Sequence, residues 1–143
     1  SIPDRYVPSP QQRMDLYRRI ALIRSESDAD DLTDELIDRY GDPPRPVNNL
    51  ISVALLRSEA ARCGITELTQ KGNNLVLGLA AFNLQEVSAL CGGERWQGRL
   101  LFSPGEKAAL TLRLKKGENP LSLARTLVGD YARLRGEPAD ADA

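Results

Sequence analysis

Among its 143 residues the chain has no histidine. That removes the commonest general base near neutral pH and the commonest metal ligand, and most hydrolytic triads go with them. The only two cysteines, Cys63 and Cys91, stand far apart. They cannot assemble a four-ligand zinc site, and they suit reduced, partly buried thiols better than a disulfide framework. No apolar run approaches the ~20 residues that span a bilayer. The opening Ser1-Ile2-Pro3-Asp4-Arg5 shows no basic stretch leading into an apolar one, so no secretory signal is expected there. No phosphate-binding loop can be written, because Gly105 stands directly before Glu106 and Lys107 outside the G-x-x-x-x-G-K frame. A net charge of −1 argues against a free-standing nucleic-acid binder, whose affinity rests largely on phosphate neutralisation. Together these absences lead to a soluble cytoplasmic protein without catalytic residues, cofactor or metal, and without a membrane partner.

What remains is ordinary globular material, 41% hydrophobic and 27% charged, enough for one domain with its own core. Residues 1–10 carry three prolines and read as an extended linker. Ser9-Pro10-Gln11-Gln12 is an N-cap signal for a helix running to about Ser25, with Met14, Leu16, Tyr17, Ile20 and Ile23 as its buried stripe. A second helix is expected from about Asp28 to Tyr40, its apolar face Leu32, Leu36, Ile37 and Tyr40, stopped by Gly41 and Pro43-Pro44. A third should run from about Pro46 to Cys63.

The second half changes period. Ile65 to Leu68 and Leu75 to Leu79 flank the turn Lys71-Gly72-Asn73-Asn74, which predicts a hairpin. Asn83 caps a short helix to about Leu90. Arg99 to Phe102 and Leu110 to Leu114 read as two more strands, and Asn119-Pro120 opens a last helix through Leu134. The fold class is therefore α+β in the order ααα-ββ-α-ββ-α, with a mostly antiparallel sheet. One domain is expected over residues 11–136, with a disordered tail over 137–143.

The most concentrated chemistry lies between Glu26 and Asp38, where Asp31, Asp34, Glu35 and Asp38 share one helix face opposite Leu32, Leu36 and Tyr40. A solvated face explains such a run. A divalent-ion site would need the glycine turn of a calcium loop, and paired catalytic carboxylates would need an enclosing pocket; a convex helix face offers neither. An electronegative docking surface needs only exposure. Arg5, Arg13, Arg18, Arg19 and Arg24 form a basic group around the first helix, with acids close enough for intramolecular pairing. Trp96, the only tryptophan, stands just before a strand, a position that more often holds a sheet-edge packing residue than an interface anchor.

Two stretches carry a resemblance. They are Ile2-Pro3-Asp4-Arg5-Tyr6-Val7 with Gln12-Arg13 and Tyr17-Arg18-Arg19-Ile20-Ala21, and Asp31 to Gly41 with its Glu35-Leu36-Ile37-Asp38-Arg39-Tyr40-Gly41 core. The pattern resembles the C-terminal domain of the bacterial transcription-repair coupling factors (Mfd) and continues through Pro43-Pro44 and Gly64-Ile65. Departures fall at Pro10, the Gly72–Asn74 turn and Gly92-Gly93. In that family the whole protein is an ATP-driven DNA translocase that displaces stalled RNA polymerase and recruits excision repair through UvrA. The resemblance implies that the motor and the RNA polymerase and DNA contacts lie outside this segment. The segment itself would be a non-catalytic regulatory domain, clamped on the N-terminal UvrB-like module, masking UvrA binding and restraining the motor. It also implies that Glu35, Asp38 and Arg39 form the clamp, with Asp31 and Asp34 as flanking contacts. A nucleic-acid-contacting accessory domain and a small enzyme are the alternative classes, the first detectable by salt-dependent DNA binding and the second by a pocket with perturbed carboxylates.

Overall fold

The computed structural model describes residues 1–136, so the expected tail over 137–143 lies outside the described residues. Five helices and four strands follow in the expected order: α1 Pro10–Ala21, α2 Glu26–Tyr40, α3 Arg45–Arg62, β1 Ile65–Lys71, β2 Asn74–Leu79, α4 Leu84–Cys91, β3 Leu100–Ser103, β4 Ala109–Arg113 and α5 Pro120–Leu134. The described residues divide into two compact units, Ser1–Ser58 and residues 59–136.

In the first unit the sequence signals act locally as written. The Ser9 hydroxyl accepts from the Gln12 amide, and Pro10 opens α1 in the first turn, where its missing N–H leaves no intrahelical bond unmade. Gly41, at φ 85°, ends α2 and donates its N–H to the Ile37 carbonyl.

Three expectations need correction. Residues 1–10 are not a free linker, because Ile2 and Val7 are buried among Leu16, Ile20, Ile23, Leu32, Leu36, Val47 and Ile51. The Ile2 N–H donates to the Tyr17 hydroxyl at 2.7 Å, and Arg13 donates to the Val7 and Pro8 carbonyls. Apolar burial of Ile2 and Val7, at roughly 1.5–3 kcal/mol per such side chain, outweighs the extended preference of the prolines.

Next, α1 stops at Ala21, and α2 begins two residues before Asp28. Ser25 accepts from the Asp28 amide, while the Asp28 carboxylate accepts from the Arg24 amide. The Ser25 cap, with Asp28 reaching back to the residue before it, claims Ser25 for the second helix, so the first must end earlier. Finally, Met14, Tyr17 and Ile37 sit at the margins of their stripes and are exposed. The covered part of each helix is narrower than its apolar arc.

In the second unit the strands form one antiparallel sheet in the order β1-β2-β4-β3. Gly72, at φ 60°, is the first of two central residues in the β1–β2 turn, the place where a tight hairpin requires glycine. Leu75, Leu77 and Leu79 of β2 and Leu110 and Leu112 of β4 fill the buried face. Asn83 and Asn119 cap α4 and α5 as predicted. Trp96 is 1% exposed and lies in the turn before β3, where its Nε1 donates to Asp130 of α5 at 2.8 Å. It is a packing residue, its indole tied to α5 and its carbonyl accepting from the Leu100 amide at the start of the edge strand β3.

Candidate docking site

The exposed face of α2 is built by its buried one. Ala29, Leu32 and Leu36 are buried in the first unit's core, and this fixes the helix rotation. The residues on the opposite arc, Asp31, Asp34 and Asp38, are therefore exposed. These three make no ion pair among the described residues. Spaced at i, i+3 and i+7, they form an acidic stripe along one side of the helix.

Glu35 is different. Arg19 of α1 donates to both of its carboxylate oxygens, through Nη2 to Oε1 at 3.0 Å and through Nη1 to Oε2. Arg39, four residues further along α2, stands 3.7 Å from the same Oε2. One carboxylate is thus shared by two guanidinium groups, and the trio carries a net positive charge beside the acidic stripe. The Arg39 guanidinium also lies 5.1 Å from the centre of the Tyr40 ring, and the Tyr40 hydroxyl donates to Gln12 Oε1 at 3.0 Å. Tyr6 meets Tyr40 with ring centres 5.6 Å apart and donates its hydroxyl to the Gly41 carbonyl at 2.8 Å. Arg39 is therefore braced on a ring that is itself tied to α1 and to the opening segment. Between α1 and α2 lies a shallow cleft of about 310 Å³ bordered by Arg19, Glu35, Arg39 and Tyr40.

The sequence-predicted residues are thus brought onto one surface in two chemically distinct groups. Asp31, Asp34 and Asp38 present free carboxylates, whereas Glu35 is committed to Arg19 and positions Arg39. Two other basic residues of the first helix are also paired, Arg13 with Asp4 and Arg18 with Asp15. The Arg19–Glu35 contact spans 16 residues, so no helical spacing rule reaches it. Among the described residues no three Cys, Asp or Glu side chains come together as a metal-binding group. No described helix is long and apolar enough to cross a membrane.

The pairing carries a pH signature. The Arg19 hydrogen bonds hold the Glu35 carboxyl below its ordinary value of 4.5, with the Arg39 charge adding in the same direction. A depressed folded-state pKa means that the unfolded chain binds more protons below that value. The stabilisation is therefore present above pH 4.5 and lost as pH falls through the folded pKa. Both side chains are more than a third exposed, and pairs of this kind contribute about 0.2–1 kcal/mol. Glu35→Gln should accordingly lower stability slightly at neutral pH and flatten its decline below pH 4.5, as read by urea melts across pH 3–7. An acid limb unchanged by the substitution would show that the pair contributes nothing in solution.

The family model described as "TRCF domain" matches residues 1–89, which include α1, α2, α3 and the whole acidic face. The chain belongs to the TRCF domain family. It is 34% identical over 91 residues, 64% of its length, to the transcription-repair-coupling factor of Escherichia coli strain K12. Over 125 residues, 87% of its length, it is 23% identical to that of Staphylococcus haemolyticus. Over 68 residues, 48% of its length, it is 40% identical to that of Mycobacterium tuberculosis. The matched stretches span 8%, 10% and 6% of those relatives, so the chain corresponds to about a tenth or less of each. Its fold is similar to the crystal structure of a C-terminal domain of transcription-repair coupling factor, with a TM-score of 0.78. That match covers 94% of this chain and 88% of the other at 19% identity. The TRCF family match ends within α4, whereas the structural likeness extends across most of the chain.

Proposed function

We propose that this TRCF-family chain is the C-terminal regulatory domain of a transcription-repair coupling factor and that it acts by docking rather than by chemistry. The exposed face of α2 binds the N-terminal UvrB-like module of the same protein. Docked there, it covers the surface that UvrA would use and restrains the ATP-driven motor, which lies elsewhere in the parent together with the RNA polymerase and DNA contacts. Asp31, Asp34 and Asp38 supply the negative stripe, and Arg39, held by Glu35 and Tyr40, supplies a directional cation at its edge.

The observation that carries this reading is the split within α2. One face is buried in the core, and the other holds three exposed, unpaired carboxylates inside the family-matched segment. Carboxylates kept free of local arginines cost the fold nothing and remain available to a basic partner. The half-buried aromatic brace behind Arg39, Tyr40 with Tyr6, serves a geometry that a merely solvated surface does not need. Linkage in one chain raises effective concentration to roughly millimolar, so a contact too weak to persist between separate molecules can still be mostly closed in the parent. The test is a titration of this chain with the purified N-terminal module of its parent, followed with and without UvrA.

A further inference from the structure

The second unit carries a surface that the docking reading does not use. In an antiparallel pair, directly opposed residues point to the same side of the sheet. The registers therefore assign Thr69, Val76, Thr111 and Leu101 to one row crossing all four strands on the face opposite the buried leucines. Leu101, on the edge strand, is 66% exposed, while the other three are half-buried. On one side of this row lies a second one, Lys71, Asn74 and Arg113. On the other side lie the small residues Gly78, Ala109 and Ser103, with Glu67 at the β1 end. Lys115 and Lys116 follow at the same end as Lys71, because the Leu114 N–H donates to the Asn73 carbonyl of the hairpin turn at 2.7 Å.

Four cations thus gather at one end of an open face. The nearby acid does not cancel them. Glu118 accepts from both terminal nitrogens of Arg99 and from the Lys115 amide, so its carboxylate is committed to Arg99. Lys71, Arg113 and Lys116 make no ion pair among the described residues.

We infer that the open face of the β1-β2-β4-β3 sheet is a second docking surface, whose partner is an acidic amphipathic helix of another protein. The row from Thr69 to Leu101 extends about 14 Å across strands spaced ~4.8 Å apart, which matches roughly two and a half turns of a helix. An apolar stripe laid on that row places the helix's polar side, about one row away, over Lys71 and Arg113. The flat row of Gly78, Ala109 and Ser103 leaves room for its other flank. The charge requires an acidic partner. The composition of the face argues for protein over nucleic acid, since no aromatic residue lies on it to stack a base. This surface lies in the second unit and stands whether or not α2 docks as proposed.

The experiment uses the whole 143-residue chain, isotope-labelled, and a synthetic ~15-residue helix with leucines on one stripe and glutamates along the flank of that stripe. Backbone resonance shifts should concentrate at Thr69, Lys71, Val76, Leu101, Thr111 and Arg113 and should weaken with added salt. Replacing the peptide's glutamates with glutamine, or introducing Lys71→Glu with Arg113→Glu, should weaken binding by about tenfold or more. Leu101→Gln should weaken it without altering the melt. No shifts on this face at millimolar peptide would overturn the inference. Equal binding of the glutamine peptide would also overturn it, as would tighter binding of a short thymidine strand to the same residues, which would make the face a nucleic-acid surface instead.

Discussion

Reversing Asp31, Asp34 and Asp38 to lysine in the full-length parent should raise UvrA binding and ATP turnover together, while the melting of the domain stays almost unchanged. The two halves of this expectation come from different magnitudes. All three side chains are exposed and unpaired among the described residues, and surface substitutions away from structural features stay within about ±0.5 kcal/mol. At a docked interface, like charges set opposite one another cost several kcal/mol, and each ~1.4 kcal/mol shifts the closed-to-open ratio tenfold. The reversal should therefore open the protein by tenfold or more without unfolding anything. Glu35 is left in place deliberately. Its carboxylate is held by Arg19, so replacing it would disturb both Arg19 and Arg39 and mix a positioning effect with a docking one. Wild-type UvrA affinity and turnover in the triple variant would mean that the stripe is only a solvated surface.

Trp96→Ala is expected to cost the second unit about 3–5 kcal/mol, the range for emptying a large buried aromatic site. The indole is 1% exposed and its N–H is bonded to Asp130. The turn that presents it is fixed by the Trp96 and Gln97 amides donating to the Gly93 carbonyl and by the Leu100 amide donating to Trp96. Since whole domains are stable by only about 5–15 kcal/mol, the variant should melt at far lower urea concentration. Trp96→Phe separates volume from hydrogen bonding. It keeps most of the apolar area while removing the N–H donor and the few ring atoms by which an indole exceeds a phenyl, and Asp130 keeps Arg95 and Arg133 as partners. Its cost should be nearer 1 kcal/mol than 4, with part of the rest recovered through those arginines. Equal losses for both variants would mean that the hydrogen bond, and not the packing, holds the turn.

Much of this architecture was legible because its signals are local. Ser9-Pro10, Asn83 and Asn119-Pro120 each cap the helix they were expected to cap. The hairpin sits on Gly72, where two central residues need a positive φ at the first. The structure departs from expectation where one local signal outweighs another. Ser25-x-x-Asp28 is a capping pair that starts α2 at Glu26, two residues ahead of the expected Asp28. The prolines of residues 1–10 favour an extended chain, but the burial of Ile2 and Val7 among them packs the segment onto the core.

The site divides in the same way. The acidic stripe follows from helical spacing alone, so its exposure could be read once Leu32 and Leu36 were assigned inward. The attachment of Glu35 to Arg19 could not, since it depends on how α1 lies against α2. Nor could the alignment of Thr69, Val76, Thr111 and Leu101, which needs the strand order and three registers.

The most direct test of the docking account is to add the purified N-terminal module of the parent protein to the labelled 143-residue chain and follow the backbone amides of α2 as UvrA is then introduced. The account predicts shifts centred on Asp31, Asp34, Asp38 and Arg39, absent in the triple lysine variant and reversed when UvrA takes the module. An α2 face that stays unshifted at millimolar module, or a complex that UvrA leaves intact, would contradict it.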